Sequence, residues 1–438
     1  MPHAPLAAIS LTDVEVTRFF VAIVALMGLA HLLGSVFSRL HMPRVIGEIA
    51  GGLVLGPTLF GAIAPGAQHW VFAGFTGEDK LLAMASEFGL VLLMFMSGME
   101  VKARFAREDR KLAFPLLAGA TLLPFLLGIA APQVFDFKPY LGPHGNISAL
   151  TIIIGIAVAI TSIPVISKIF LDLGIMDTRF ARICLTVATV EDIALWGLLA
   201  VALSLAQSAH PSVYGLVKTP IITVAFFLVA MVVLPRILNG LLHTPARNVV
   251  ENRPVRFALL AGVAICRLPH DVVEVVRTKV KAFALVFFTP IYFAIVGLKL
   301  DLLRHFDPIF FLGFFLFCTV IKSLATAVAG RYGTGDWLST ANLAAALNTR
   351  GGPGIVLASV AFDAGVIDER FFVTLVLTAV ITSLFAGGWF RYVLNRGWPL
   401  LRVRGEVLPG DDAGGGPEGD GAPLAPVTHT ERTKETVR

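Results

Sequence analysis

The sequence predicts an all-α polytopic membrane protein with two broken helices at its centre. Three observations lead there. Of 438 residues, 56% are hydrophobic and only 15% charged, whereas a soluble domain carries about 25% charged residues. Apolar runs close to the ~20 residues that cross a ~30 Å hydrocarbon core recur from residue 19 to residue 394. Two of these runs are interrupted midway, at Thr161-Ser162-Ile163-Pro164 and at Thr349-Arg350-Gly351-Gly352-Pro353-Gly354.

The first span is read at 19–37, followed by Arg39, His41 and Arg44. The second, 46–63, carries GEIAGGLVLGPTLFG, whose glycines let helices approach closely in a membrane. A polar loop with Glu78 and Asp79 leads to a third span, 81–99, which ends at Glu100. The most basic loop of the chain then holds Lys102, Arg104, Arg107, Arg110 and Lys111 before a fourth span at 112–131. The fifth, 147–170, contains the first interruption. Pro164 has no N–H, so the reading leaves the Ile160 carbonyl without its helical donor. Backbone of that kind survives at membrane depth only inside protein or along a cavity. The sixth span is 179–206 and the seventh 217–238.

Residues 243–283 read differently. A run of ten apolar residues, 257–266, is too short to cross and has basic flanks, so it reads as re-entrant or interfacial, and 271–281 as an amphipathic surface helix. Four more spans follow at 282–298, 309–330, 338–362 and 371–394, the third holding the second interruption. That makes about eleven. After residue 404 the chain turns to Gly, Pro and acids, and 405–438 is expected to be disordered.

Charge sets the orientation. The basic loops at 102–111, 236–256, 267–281 and 391–404 fall on one side, the acidic ones at 78–79 and 363–369 on the other. The positive-inside rule then puts the N-terminus outside and the C-terminus in the cytoplasm, in a multi-pass protein of the cell inner membrane. The same rule accounts for the net charge of +5, so no nucleic-acid partner is implied. Residues 1–16 are polar and hold Asp13 and Glu15, unlike a cleavable signal peptide. Cys184, Cys266 and Cys318 show no metal-ligand spacing and read as packing residues.

The segments 112–131, 147–170 and 179–206 form one triplet, and 309–330, 338–362 and 371–394 a second, running in the opposite sense. Inverted repeats with broken helices at the midplane mark secondary transporters. The chemistry sits at Glu191 and Asp192, side by side in an apolar run flanked by Arg182 and His210. An acid at mid-span costs about 2.5–3.5 kcal/mol on insertion scales. Neighbours on a helix point about 100° apart, so the two need different partners. Lys322, inside the span 309–330, lies within reach of Glu191, which leaves Asp192 as the main ligand for a monovalent cation or a proton. The competing readings are an ion pair that pins helices and a lysine that snorkels to the interface. Thr161 and Ser162 offer oxygens at the first break, or simply kink it. Asn348 and Arg350 flank the second, where Arg350 satisfies free carbonyls. Glu48 and Glu100 read as interfacial.

These stretches resemble the monovalent cation:proton antiporter superfamily, in the branch with Kef-type potassium/proton and bacterial sodium/proton antiporters. The matching residues are GEIAGGLVLGPTLFG (47–61), LVLLMFMSGMEV (90–101), the TSIP break (161–164), VEDIALWGLLA (190–200), FFTPIYFAIVGLKLDL (287–302) and Lys322. The resemblance implies a sodium/proton-antiporter-like inverted repeat with two broken, crossing helices. It implies a core formed by 112–206 and 309–394, a scaffold and dimerisation part formed by 19–99 and 217–298, elevator-like movement of the core and a homodimer in membrane lipid. Its paired acids map onto Glu191 and Asp192, its unwound Thr/Ser onto Thr161 and Ser162, and its core lysine onto Lys322. The first acid is Glu where many relatives have Asp, Asn or Gln, and a scaffold span expected between 243 and 257 is absent from the pattern. The implied activity is exchange of Na⁺ or K⁺ for protons, with no cofactor. A channel and a non-transporting scaffold or sensor are the alternatives. No Walker loop, HExxH or nucleophile elbow suggests an enzyme.

Overall fold

A computed structural model describes residues 12–40, 42–75, 77–100, 109–206 and 283–402, with 222 and 225 as isolated positions. Among these the chain is almost wholly helical, and seven helical segments, three of them interrupted, are long and apolar enough to cross a membrane. The expectations for 217–238, 257–266, 271–281 and 405–438 lie outside the described residues, as do Cys266 and the side chain of Glu100.

The first helix, α1 (Asp13–Arg39), opens on a capping box in which Thr12 and Glu15 bond reciprocally, satisfying two N-terminal donors. The second span is not one helix. It breaks into α2 (Arg44–Leu55) and a single turn, α3 (Phe60–Ile63), because the chain leaves the helix at Gly56 and turns through Pro57. After α4 (Pro65–Phe72) and α5 (Glu78–Glu100) comes a second departure from the expected pattern. The fourth span is α6 (Arg110–Leu117), a π-helical turn (Ala118–Leu122) and α7 (Leu123–Ala130), rather than a regular helix. The longer helices that follow are α8 (Ile147–Ala159), α9 (Ile163–Asp172), α10 (Arg179–Ala206), α11 (Thr289–Leu298), which a second π-helical turn (Ala284–Phe288) precedes, α12 (Pro308–Thr334), α13 (Trp337–Leu347), α14 (Gly351–Asp363) and α15 (Glu369–Asn395). Side chains of Asn146, Asp307, Asp336 and Asp368 cap α8, α12, α13 and α15 by accepting from their first backbone N–H groups.

The GEIAGG stretch packs as small residues allow. A Cβ on Gly52 would lie 1.8 Å from the Ala294 carbonyl oxygen, and one on Gly297 would lie 2.0 Å from that of Ile49. Thus α2 and α11 touch backbone to backbone. With α1, α4 and α5 they enclose an apolar cluster that includes Leu26, Phe72, Leu82, Ile291 and Ile295. A larger cluster joins α8, α10, α14 and α15, through residues such as Ile153, Leu195, Ile355 and Phe371. A third lies beneath α6, α9, α10 and α13, where the rings of Phe170, Phe180 and Phe390 meet at centroid distances of 5.5–5.6 Å.

Outward surfaces are apolar. Ile309, Leu312, Leu316, Val320, Leu324 and Val328 of α12 are all exposed, at spacings of three and four residues. They form one helical stripe, opposite the buried Phe314, Cys318, Lys322, Ala325 and Ala329. An exposed apolar stripe of that length belongs in lipid.

Both interrupted helices are interrupted where the sequence says, and the two breaks meet. Between α8 and α9 the backbone is extended from Ile160 to Ser162. Pro164 is not a kink inside a helix. It occupies the first turn of α9, where a missing N–H costs nothing, so the opening lies just before it. The Ser162 N–H donates to Thr349 O across the two breaks, at 2.6 Å. Gly351 begins α14 at φ +38, and a Cβ there would sit 2.6 Å from Ser162 Oγ. Only glycine suits both the left-handed backbone and the lack of space.

Candidate functional site

Glu191 and Asp192 lie near the middle of α10, buried to 0% and 5% exposure. Because they are adjacent, they face different neighbours. Both oxygens of Glu191 are occupied. Lys322 Nζ, on α12, stands 3.1 Å from Oε1 in a pair with neither side chain exposed. The Thr121 hydroxyl, on the π-helical turn, donates to Oε2 at 2.9 Å.

Lys322 has three N–H donors and three acceptors meet them. Besides Glu191 they are Thr161 Oγ1, at 2.6 Å, and the Ala159 carbonyl at the end of α8. Arg350 takes the two preceding carbonyls. Its Nε donates to Ala157 O at 3.0 Å and its Nη2 to Val158 O at 3.3 Å, while Nη1 donates to Asn348 Oδ1 at 2.6 Å. The last turn of a helix has carbonyls without partners and carries the negative end of the helix dipole. Two cations from other elements therefore close the broken end of α8. The guanidinium of Arg350 is 2% exposed and serves the backbone.

Thr161 and Ser162 stand at the first break, and the Thr161 hydroxyl and the Ser162 N–H join it to the second. Thr161 Oγ1 donates to Leu347 O at 2.6 Å while accepting from Lys322. Ser162 Oγ accepts from Val165 N, capping α9. Asp192 differs from every other member of the cluster. Its Oδ1 is buried and has no hydrogen-bond partner. Glu48 Oε2 and Glu78 Oε1 are likewise unpartnered, but Asp192 alone of the three lies beside the Glu191–Lys322 pair, where such an atom calls for a bound ion, a water or a proton.

The sodium/hydrogen exchanger transmembrane family matches residues 21–252 and 257–396. This chain belongs to that family. Members of this exchanger family are multi-pass membrane proteins, as the apolar helices here require. Similar proteins include the "Na(+)/H(+) antiporter NhaS4" of Synechocystis sp., 28% identical over 83% of this chain and 93% of its own length. The "Na(+)/H(+)-K(+) antiporter GerN" of Bacillus cereus is 25% identical over 86% of this chain and 97% of its own length. The "K(+)/H(+) antiporter 1" of Saccharomyces cerevisiae is 27% identical over 79% of this chain, which spans only 43% of that longer protein.

Not every acid gathers here. Glu48 lies one turn into α2. It is buried at 3% exposure on α2, with Oε1 held by Arg44 Nε at 3.0 Å and Oε2 unpartnered. It lies in the α1–α2 packing, where Gly34 and Gly47 bring the two helices together. Glu87 is exposed on α5. Thr121 went unread in the sequence, being one hydroxyl in an apolar run. The available signal was the pair Pro115 and Pro124 around the small residues AGAT, which marks an irregular helix.

Proposed function

We propose that this family member is a secondary active transporter, which exchanges a monovalent cation, Na⁺ or K⁺, for protons by alternating access. The observation that carries the reading is the asymmetry of the two acids. Glu191 is neutralised by Lys322 and held on both oxygens, whereas Asp192 presents a buried, unpartnered oxygen. Stripping a carboxylate of water is costly unless a proton or a cation compensates it. A proton and an alkali metal ion therefore compete for Asp192, and each displaces the other. The names of the relatives, Na⁺/H⁺ and K⁺/H⁺ antiporters, support the same exchange.

In this reading the unwound segment with Thr161 and Ser162 contributes oxygens to the cation, and Lys322 and Arg350 are structural counter-charges. The elements within 112–206 and 309–394 move as a core against a dimerising scaffold, as an inverted repeat in the inner membrane with the C-terminus in the cytoplasm. The protein acts as a homodimer and as a carrier of ions, without a cofactor or an enzymatic step.

Reconstitution into liposomes holding a pH-sensitive dye tests this. Addition of Na⁺, K⁺ or Li⁺ is expected to drive proton movement, and Asp192→Asn to abolish it. Cation flux without proton movement identifies a channel, and no flux with any of the three identifies a scaffold or sensor. Either result overturns the proposal.

A further inference from the structure

Gly52 and Gly297 pin α11 to α2, and two residues after Gly297 the chain reaches Lys299, which caps the end of α11. Its Nζ donates to Asp363 Oδ1 at 2.5 Å. Asp363 is the last residue of α14, the helix that opens at the second break with Gly351. One ion pair thus ties the glycine-packed helices to a helix that starts at the broken centre. Around it the contact is apolar. Phe293, Val296 and Leu300 share a buried cluster with Ile355 and Leu357, and a Cβ on Gly352 would stand 3.8 Å from Phe293 Cζ.

Asp363 is poorly placed without that lysine. The C-terminal end of a helix carries the negative pole of its dipole, where a carboxylate is disfavoured and a cation favoured. The Ser359 hydroxyl donates to Asp363 Oδ2 at 3.2 Å, but a hydroxyl brings no charge. Lys299 supplies the charge from another helix. The side chains of Lys299 and Asp363 are 26% and 39% exposed, so salt reaches the pair and weakens it. A slide of one helical turn, ~5.4 Å, carries the ammonium off the carboxylate. Tyr292 lies two turns before Lys299 on the same face of α11. It is buried and its hydroxyl has no partner, so it gives the contact no second polar tie.

We propose that Lys299 and Asp363 form a latch between the scaffold and the core, closed in this structure and opened whenever the two slide apart. It lies on the side of the acidic loops and shuts the outer end of that boundary. The motion it controls rests on the exchange reading; the tie itself rests on geometry. Behind the latch are Ser359 and Leu300, at 2% and 1% exposure.

The test uses the full chain in detergent, with its three cysteines replaced by alanine and Ser359→Cys added. The rate at which N-ethylmaleimide labels that thiol follows how often the latch opens. Lys299→Gln and Asp363→Asn are each expected to raise the rate, up to about fivefold, the most that a partly exposed ion pair contributes. Lys299→Asp combined with Asp363→Lys restores the pair in reverse and is expected to slow labelling again. Salt at about 1 M should speed labelling where the pair is intact and leave the single variants unchanged. A neighbouring charge also alters thiol reactivity, but loss of a cation and loss of an anion do so in opposite directions. Only an opened contact raises the rate in both. Unchanged rates, opposite shifts, or a charge swap as fast as the single variants overturn the latch. Should Ser359→Cys not fold, Leu300→Cys on the facing side is read in its place. Exchange in liposomes, assayed alongside, separates the two claims. Labelling that follows the ion pair in a protein without exchange overturns the exchange reading and leaves the latch. Exchange with labelling indifferent to the pair overturns the latch alone.

Discussion

The pair of Lys322 and Glu191 is closed from water on all sides, and that sets how it responds to mutation. A buried ion pair adds little net stability, but losing one partner leaves an uncompensated charge and costs about 3–5 kcal/mol. Lys322→Met is therefore expected to lower the melting temperature sharply. Adding Glu191→Leu is expected to recover part of the loss. Recovery stays incomplete because Lys322 also closes the Ala159 carbonyl and Thr161, and neither finds a donor in the double variant. A thermal-shift double-mutant cycle checks this; strictly additive losses would show that the two residues do not act as a pair. At this scale the sequence was informative about charge and silent about shape. Glu191, Asp192, Lys322 and Arg350 stand out because ionisable groups within apolar runs are expensive. Thr121 does not, because a hydroxyl in such a run is cheap and bonds its own helix as easily as a neighbour. The burial of Glu48 was illegible for a related reason: only the small residues around it bring α1 close enough to cover its side chain.

Among the elements, the helices that bring Thr121 and Glu191 together are fastened at one end by Asp109. Its two oxygens accept from Arg179 Nε and Arg182 Nε, both at 2.8 Å, tying the start of α6 to the start of α10. Burial pushes the Asp109 carboxyl up, but the hydrogen bonds from Arg182 and Arg179 outweigh it and hold the group below its ordinary value of 3.8. A lowered carboxylate stabilises the folded state at every pH above that ordinary value, and the contribution fades as pH falls through the lowered one. Asp109→Asn is expected to cost about 1–2 kcal/mol near neutral pH, discounted because both arginines are partly exposed. Melting curves of variant and wild type should converge below pH 3.8, and a difference that widens with acid would contradict the sign. Long helices such as α1, α10, α12 and α15 were readable from apolar length, and both breaks from Pro and Gly. The π-turn and the break at Gly56 were not. Each replaces a few backbone hydrogen bonds, beside Pro115 and Pro124 in one case and Pro57 in the other, and α12 or α11 packs closely against the departure.

The whole molecule joins an apolar exterior to a polar centre, and the tension between them gives the most direct test of what the centre holds. Asp192 accepts no partner at Oδ1, so its charge opposes folding unless a ligand offsets it. A ligand that binds only the folded state stabilises it by RT ln(1 + [L]/Kd), about 2.7 kcal/mol at a hundred times Kd. Na⁺ or K⁺ should raise the melting temperature of the wild-type protein in detergent, where choline at equal ionic strength should not. The effect should grow as pH rises, because protons compete for the same oxygen. Asp192→Asn removes the buried charge without removing a hydrogen bond at Oδ1. It should therefore melt no lower than wild type and ignore both cations. Cation-dependent stabilisation that survived in Asp192→Asn would move the binding site elsewhere. A variant that melted far below wild type would show that Asp192 supports the fold, which its unpartnered oxygen gives no reason to expect.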